Sequence, residues 1–181
     1  GNARRCLLMR LDIELADGST QTIVTDPSWQ ATTDGPIRRA GIYFGETYDA
    51  TKEMPGWDQP GFAAVGWPPV QVLPHPDEAK KATLVAQCNE PIRVVKELRP
   101  VKMTEPKPGV YVFDMGQNMV GWCRLKANAP ARTKITVRHA EMLNDDGTIY
   151  TANLRGAAQI NEYTWRGGEA VLEPHFTYHG F

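Results

Sequence analysis

Prolines and glycines, 14 and 16 of them in 181 residues, are spread evenly along this sequence and leave little room for any long helix. Between these breaks the apolar residues recur at every second position. Leu7, Met9, Leu11, Ile13 and Leu15 alternate with Leu8, Arg10, Asp12 and Glu14, the signature of a half-buried strand. Asp17-Gly18 supplies a tight hairpin turn, and Gln21 to Thr25 reads as the returning strand. Further on, Val110 to Phe113, Met119 to Ala127 and Lys134 to Glu141 alternate in the same way. Asn144-Asp145-Asp146-Gly147 reads as another hairpin turn. Gln159 to Trp165, Arg166-Gly167-Gly168 and Glu169 to Glu173 read as strand, turn and strand. The pattern predicts an all-β chain.

From Asp26 to Pro69 large rings (Trp29, Tyr43, Phe44, Tyr48, Trp57, Phe62, Trp67) are spaced by Gly, Pro and Asp. A strand is allowed at Arg38 to Phe44, but much of this stretch is expected to be irregular and clamped by its own rings. Asp77 to Ala82 has the character of about one helical turn. Ile92 to Leu98 is rich in β-branched residues and predicts a strand, whereas Lys102 to Pro108 is polar and proline-punctuated and reads as a linker. A domain boundary is therefore placed near residue 102, giving modules at 1–102 and 103–181. Both ends are expected to be cut, because Phe176 to Phe181 stops inside an apolar run suited to a core strand and so leaves the second module incomplete there.

The charge balance, 20 Lys and Arg against 21 Asp and Glu without long like-charge runs, gives no footprint for nucleic acid or an anionic membrane. The longest apolar stretches fall far short of a membrane span of about 20 residues. Cys6, Cys88 and Cys123 lack metal or disulfide spacing and are expected to be buried thiols.

Three segments, in the same order, resemble the bacterial α-L-rhamnosidases of glycoside hydrolase family 78. The first is Gly35-Pro36-Ile37, with Ile42 to Ala50 (IYFGETYDA) and Pro55-Gly56-Trp57-Asp58. The second is Val112 to Trp122 (VFDMGQNMVGW). The third runs from Arg138-His139-Ala140-Glu141 through Asp146-Gly147 and Asn153-Leu154-Arg155 to Phe176 to Phe181 (FTYHGF). Thr51 departs from the pattern, where the family usually carries arginine. The resemblance implies two consecutive antiparallel β-sandwich, jelly-roll-like modules, the first carbohydrate-binding-like. It implies a bacterial, secreted or periplasmic parent enzyme, an inverting glycosidase whose catalytic acids lie on an (α/α)6 barrel elsewhere in the chain. That barrel and a rhamnose-containing carbohydrate are the partners so implied. The segment itself is read as a non-catalytic support; the alternative is an autonomous module that recognises rhamnose.

Inversion at a glycosidic carbon needs two carboxyl groups about 6.5 to 9.5 Å apart. Glu46 with Asp49, and Asp114 with Glu141, are the pairs with the most suitable surroundings, yet structural acids are the commoner outcome, and no residue is assigned a catalytic role. Carbohydrate binding wants a ring beside planar polar groups, and Glu46, Tyr48, Asp49, Trp57 and Asp58 are the candidates. Packing remains the preferred role for Trp29, Trp57 and Trp67. Asp114, Gln117, Asn118, Arg138, Glu141, Asn153 and Arg155 are candidates for satisfying backbone groups or docking a neighbouring domain. No cofactor or metal site is assigned. Calcium enters through the resemblance, since some N-terminal domains of the family hold it with Asp and Asn, but Asn144 to Gly147 lacks the further oxygens that an ion of about six to eight ligands requires. His139 is expected to be a hydrogen-bonded core residue, and His175 and His179 to lie exposed near the end of the sequence.

Overall fold

The computed structural model describes residues 6–73 and 85–181. The helical turn expected at Asp77 to Ala82 lies outside the described residues. The chain divides into two units, Gly1–Thr33 with Gly56–Cys88 and Asp34–Pro55 with Asn89–Phe181.

In the first unit, β1 (Arg10–Glu14) and β2 (Thr20–Val24) form the expected antiparallel hairpin, with Leu11 opposite Ile23 and Asp12 opposite Thr22. The turn closes through Leu15 N–H to Ser19 O at 2.8 Å, with Gly18 at φ +80°. Asp17 accepts from the Ser19 hydroxyl and N–H, which hold its carboxyl below the usual range. Residues 56–73 are a run of turns. Phe62 and Trp67 meet edge to face at 5.9 Å, and a bridge joins Gln30 to Pro69. Rings therefore do clamp part of this loop, but Trp57 is 66% exposed and takes no part in the packing expected of it.

The second unit carries β3 (Ile37–Gly41), β4 (Gly45–Asp49), a 3-10 turn at Ala50–Lys52, β5 (Lys102–Lys107), β6 (Val110–Asp114), β7 (Val120–Gly121), β8 (Leu125–Ala129) and β9 (Lys134–Arg138). It continues through β10 (Met142–Leu143), β11 (Ile149–Tyr150), a 3-10 turn at Ala152–Leu154, β12 (Ile160–Thr164), β13 (Gly168–Leu172) and β14 (His179–Gly180). Its main sheet has the order β3-β4-β12-β9, and β13 pairs with β8 in a separate ribbon. Tyr48, Tyr163 and Trp165 from the sheet pack with Ala170 and Leu172 from β13, flanked by Leu125, Ala127, Ala129, Ile135 and Val137. Alternation explains why these side chains converge: every second residue of β8, β9, β12 and β13 turns inward. Trp165, fully buried, sits at the corner between the two layers and donates its indole N–H to Gly168 O at 2.8 Å.

The all-β class is observed, with several local departures. The sheet is not purely antiparallel, because β12 runs parallel to β4, with Tyr163 opposite Tyr48. Strands so far apart in sequence are free of the hairpin constraint that makes neighbours antiparallel. Lys102 to Pro108 is no linker: Lys102–Lys107 is strand β5, paired with β6, and its Pro106 falls at a register shift where no ladder hydrogen bond is required of it. Ile92 to Leu98 forms no strand, and with Ile92 and Val95 at 72% and 96% exposure its β-branched residues lie on no packed face. Strands β12 and β13, read as strand, turn and strand, are present, β12 pairing with β4 and β9 and β13 with β8. By packing, β3 and β4 join the sheet of the second unit although they precede residue 102 in sequence. Cys6 and Cys88 are exposed, and only Cys123 is half-buried, where desolvation raises its thiol pKa.

Candidate functional site

The greatest concentration of buried polar side chains lies where β4, β12 and residues 174–181 meet. Gly45 opens β4 at φ +82°, and the backbone of β12 passes so close that a Cβ there would stand 1.9 Å from Ile160 O. That approach brings Glu46 N–H to Asn161 Oδ1 at 3.0 Å. Both side chains are fully buried. The Glu46 carboxylate then accepts the backbone N–H groups of His175 at 2.9 Å and Phe176 at 3.3 Å, and its other oxygen lies 3.1 Å from His175 Nδ1. Thr177 donates to Gly41 O at 3.2 Å. His179 Nε2 lies 3.2 Å from Asn161 Oδ1, and its ring stacks on His139 at 4.1 Å between centroids. His139 in turn lies with Nδ1 3.1 Å from Gln159 O. Burial lowers the His139 pKa; burial and the neighbouring His139 lower that of His179 to about 4.

His139 is therefore the hydrogen-bonded core residue expected. His179 is not exposed as expected but buried, because β14 pairs with β7 and the His179 ring packs on His139 and meets Asn161 Oδ1. His175 keeps a half-exposed side chain, stacked on Tyr48 at 5.2 Å.

The proposed sugar ligands separate. Tyr48 is buried, donates to Glu53 Oε1 at 3.0 Å, and has its phenol pKa raised, first by desolvation and then by that carboxylate. Asp49 caps the following 3-10 turn, accepting from Thr51 N–H at 3.0 Å and Thr51 Oγ at 2.6 Å. Thr51, the departure from the family pattern, thus completes this cap. Trp57 and Asp58 belong to the other unit, and both are exposed.

Of the remaining candidates, Asp114 accepts from Gly116 N–H at 2.8 Å. It lines, with Gln117, Asn118, Glu141, Phe113 and Phe181, a shallow depression of about 320 Å³. Arg138 closes β9 opposite Ile160, Asn153 lies in the second 3-10 turn, and Arg155 ends that turn at φ +54°. A second depression of about 350 Å³ is lined by Ile42, Ile92, Trp122 and Pro174 to Tyr178. Among the described residues, no three His, Cys, Asp or Glu side chains are grouped to hold a metal ion. The Asn144 to Gly147 turn does not fit calcium: Asp146 is occupied by Thr148 and Lys107, which lower its pKa well below the usual carboxylate range. Thr177 belongs to the third motif, whereas Asn161 and Gln159, which complete the buried network, were not singled out by motif; the signal for Asn161 is the inward phase of β12, visible only once its register is known.

These features define a β-sandwich segment in which the motif residues Glu46, Tyr48, His139, Thr177 and His179 are buried and Glu46 and His179 tie distant strands together. The α-L-rhamnosidase N-terminal domain model matches residues 1–96, and the bacterial α-L-rhamnosidase concanavalin-like domain model matches residues 104–181. The chain belongs to the α-L-rhamnosidase N-terminal domain family. It is 50% identical to an α-L-rhamnosidase of Streptomyces avermitilis over 98% of its own length and 17% of the relative's, and 39% identical to one of Formosa agariphila over 97% and 19%. Similar solved structures are the Streptomyces avermitilis enzyme complexed with L-rhamnose (TM-score 0.86, 50% identity, 96% of this chain and 17% of that one) and the α-L-rhamnosidase from Dictyoglumus thermophilum (TM-score 0.86, 37% identity, 96% and 19%). The chain thus spans less than a fifth of the length of these relatives.

Proposed function

We propose that this chain is a non-catalytic β-sandwich segment of an α-L-rhamnosidase, supporting a catalytic barrel carried by another part of the parent. The reading rests on Glu46: the acid at the centre of the first family motif is fully buried, and its oxygens accept from two backbone N–H groups and face a histidine ring. A carboxylate so engaged ties strands together and offers no open edge to a glycosidic oxygen. Asp49 and Asp114 likewise bind nearby backbone N–H groups. Purified chain incubated with a nitrophenyl α-L-rhamnoside is expected to release nitrophenol at the blank rate; hydrolysis above that rate overturns the reading.

One observation favours the alternative of carbohydrate binding. Trp57 exposes 66% of its surface beside Asp58, and a ring flanked by a carboxylate suits the apolar face and hydroxyls of a sugar. Calorimetric titration with L-rhamnose, with and without calcium, tests this; heat that disappears on Trp57→Ala supports sugar contact there, and no heat at millimolar sugar rules it out.

A further inference from the structure

Two buried imidazoles, His139 and His179, stand ring against ring where β14 is fastened to the sheet, and their hydrogen bonds fix where each proton lies. Asn161 Oδ1 already accepts the Glu46 N–H, so it is the amide oxygen, and His179 must donate to it through Nε2. His139 must donate through Nδ1, because its partner is the Gln159 carbonyl. Both rings are therefore neutral with their one proton in use. A second proton would enter on His179 Nδ1 or His139 Nε2, and neither atom has an acceptor or any access to solvent. Each ring would then carry a buried charge, and two charged rings would face each other at a 4.1 Å centroid separation.

The surroundings decide which part of the segment would respond. Asn161 Oδ1 links His179 to the backbone N–H of Glu46 on β4, Phe181 lies against the His139 ring at 4.9 Å, and next to His179 the Glu141 carboxylate has an oxygen 3.9 Å from where a Gly180 Cβ would stand. His175 Nδ1 lies 3.1 Å from Glu46 Oε1, and the backbone N–H groups of residues 175 and 176 are held by the same carboxylate. Strand β14 is short: it holds to β7 through His179 opposite Gly121 and Gly180 opposite Val120, extended by reciprocal bonds between Met119 and Phe181 at 2.6 and 3.0 Å.

We infer that the His139–His179 stack is an acid-sensitive latch: protonation of either ring releases β14 from β7, while Glu46 keeps residues 175 and 176 in place. The opening is local and reversible, bounded on its N-terminal side by Thr177, which stays bonded to Gly41 O. The inference concerns this chain's own folding and stands whether or not the chain supports a glycosidase barrel.

Amide hydrogen exchange at pH 7.5 and pH 5, corrected for the intrinsic rate at each pH, tests this on the intact chain. A histidine moved from 6.5 to about 4 lowers the closed-to-open ratio about thirtyfold at pH 5, so protection of the Phe181 and Met119 amides should fall at least that far. The amides of β9 and β12 and the His175 amide should keep theirs. His139→Phe retains a ring on the stack without its charge and should shrink the pH effect at Phe181; His139→Gln provides the same test should the larger ring not pack. Unchanged Phe181 protection at pH 5, a parallel loss throughout β9 and β12, or an undiminished pH effect in both variants would each overturn the latch.

Discussion

Gly45 marks the point where β4 comes nearest to β12, and no other residue type fits there. A Cβ would stand 1.9 Å from Ile160 O and 2.9 Å from Asn161 Oδ1, and φ is +82°, a conformation that L side chains rarely adopt. Gly45→Ala should therefore push β4 away from β12 and cost about 3 kcal/mol or more. Urea unfolding followed by tryptophan fluorescence reads this, and a loss below about 1 kcal/mol would mean that the two backbones are not so close. Sequence reading reached Glu46 next door as a motif residue but offered it to a sugar. What it lacked was burial: Glu46 is fully enclosed because the chain returns after residue 170 to bring two N–H groups to its carboxylate, and no local pattern announces a partner 129 residues away. His139 was legible because its place in an alternating strand gives its side-chain direction directly.

Among the elements, strands bounded by Gly and Asn turns were readable and those made by distant pairing were not. The β1/β2 and β10/β11 hairpins follow from Asp17-Gly18 and Asn144 to Gly147, where turn chemistry fixes the register. Strand β5 was hidden by Pro106, which would break a regular ladder but is harmless at a register shift. Ile92 to Leu98 has the composition of a strand without its pairing, a reminder that β-propensity expresses fit to a neighbouring surface. The element that joins the two layers is the corner after β12. Trp165 there is fully buried among core residues, its N–H bonds Gly168 O at 2.8 Å, and its backbone N–H and C=O meet Thr133 and Arg132 at 2.8 and 2.7 Å. Trp165→Ala should cost about 3–5 kcal/mol through the cavity it leaves. Trp165→Phe should recover much of that loss, leaving the deficit of the missing indole donor. If the two variants unfold at the same urea concentration, packing of the ring is not what secures the corner.

Across the whole molecule, buried side chains are distributed unequally. Every described residue classed as buried, from Gly45 to His179, belongs to the second unit; the first has a two-stranded hairpin, turns and half-buried rings. A two-stranded hairpin is at best marginally stable by itself in water, while apolar burial is the main source of folding free energy. The first unit should therefore open far more often than the second. Limited digestion with a protease of broad specificity should cut first within residues 56–73, where exposed turns such as that around Trp57 hold little backbone in a ladder. Residues 34–55 should survive such a cut still bound to residues 89–181, because β4 is paired with β12 and Glu46 with His175. Mass spectrometry of the digest after gel filtration reads both halves of this expectation. Early cleavage within β9 or β12, or elution of the 34–55 peptide free of the remainder, would show that the sheet closed by β4 is not the stable body of this protein.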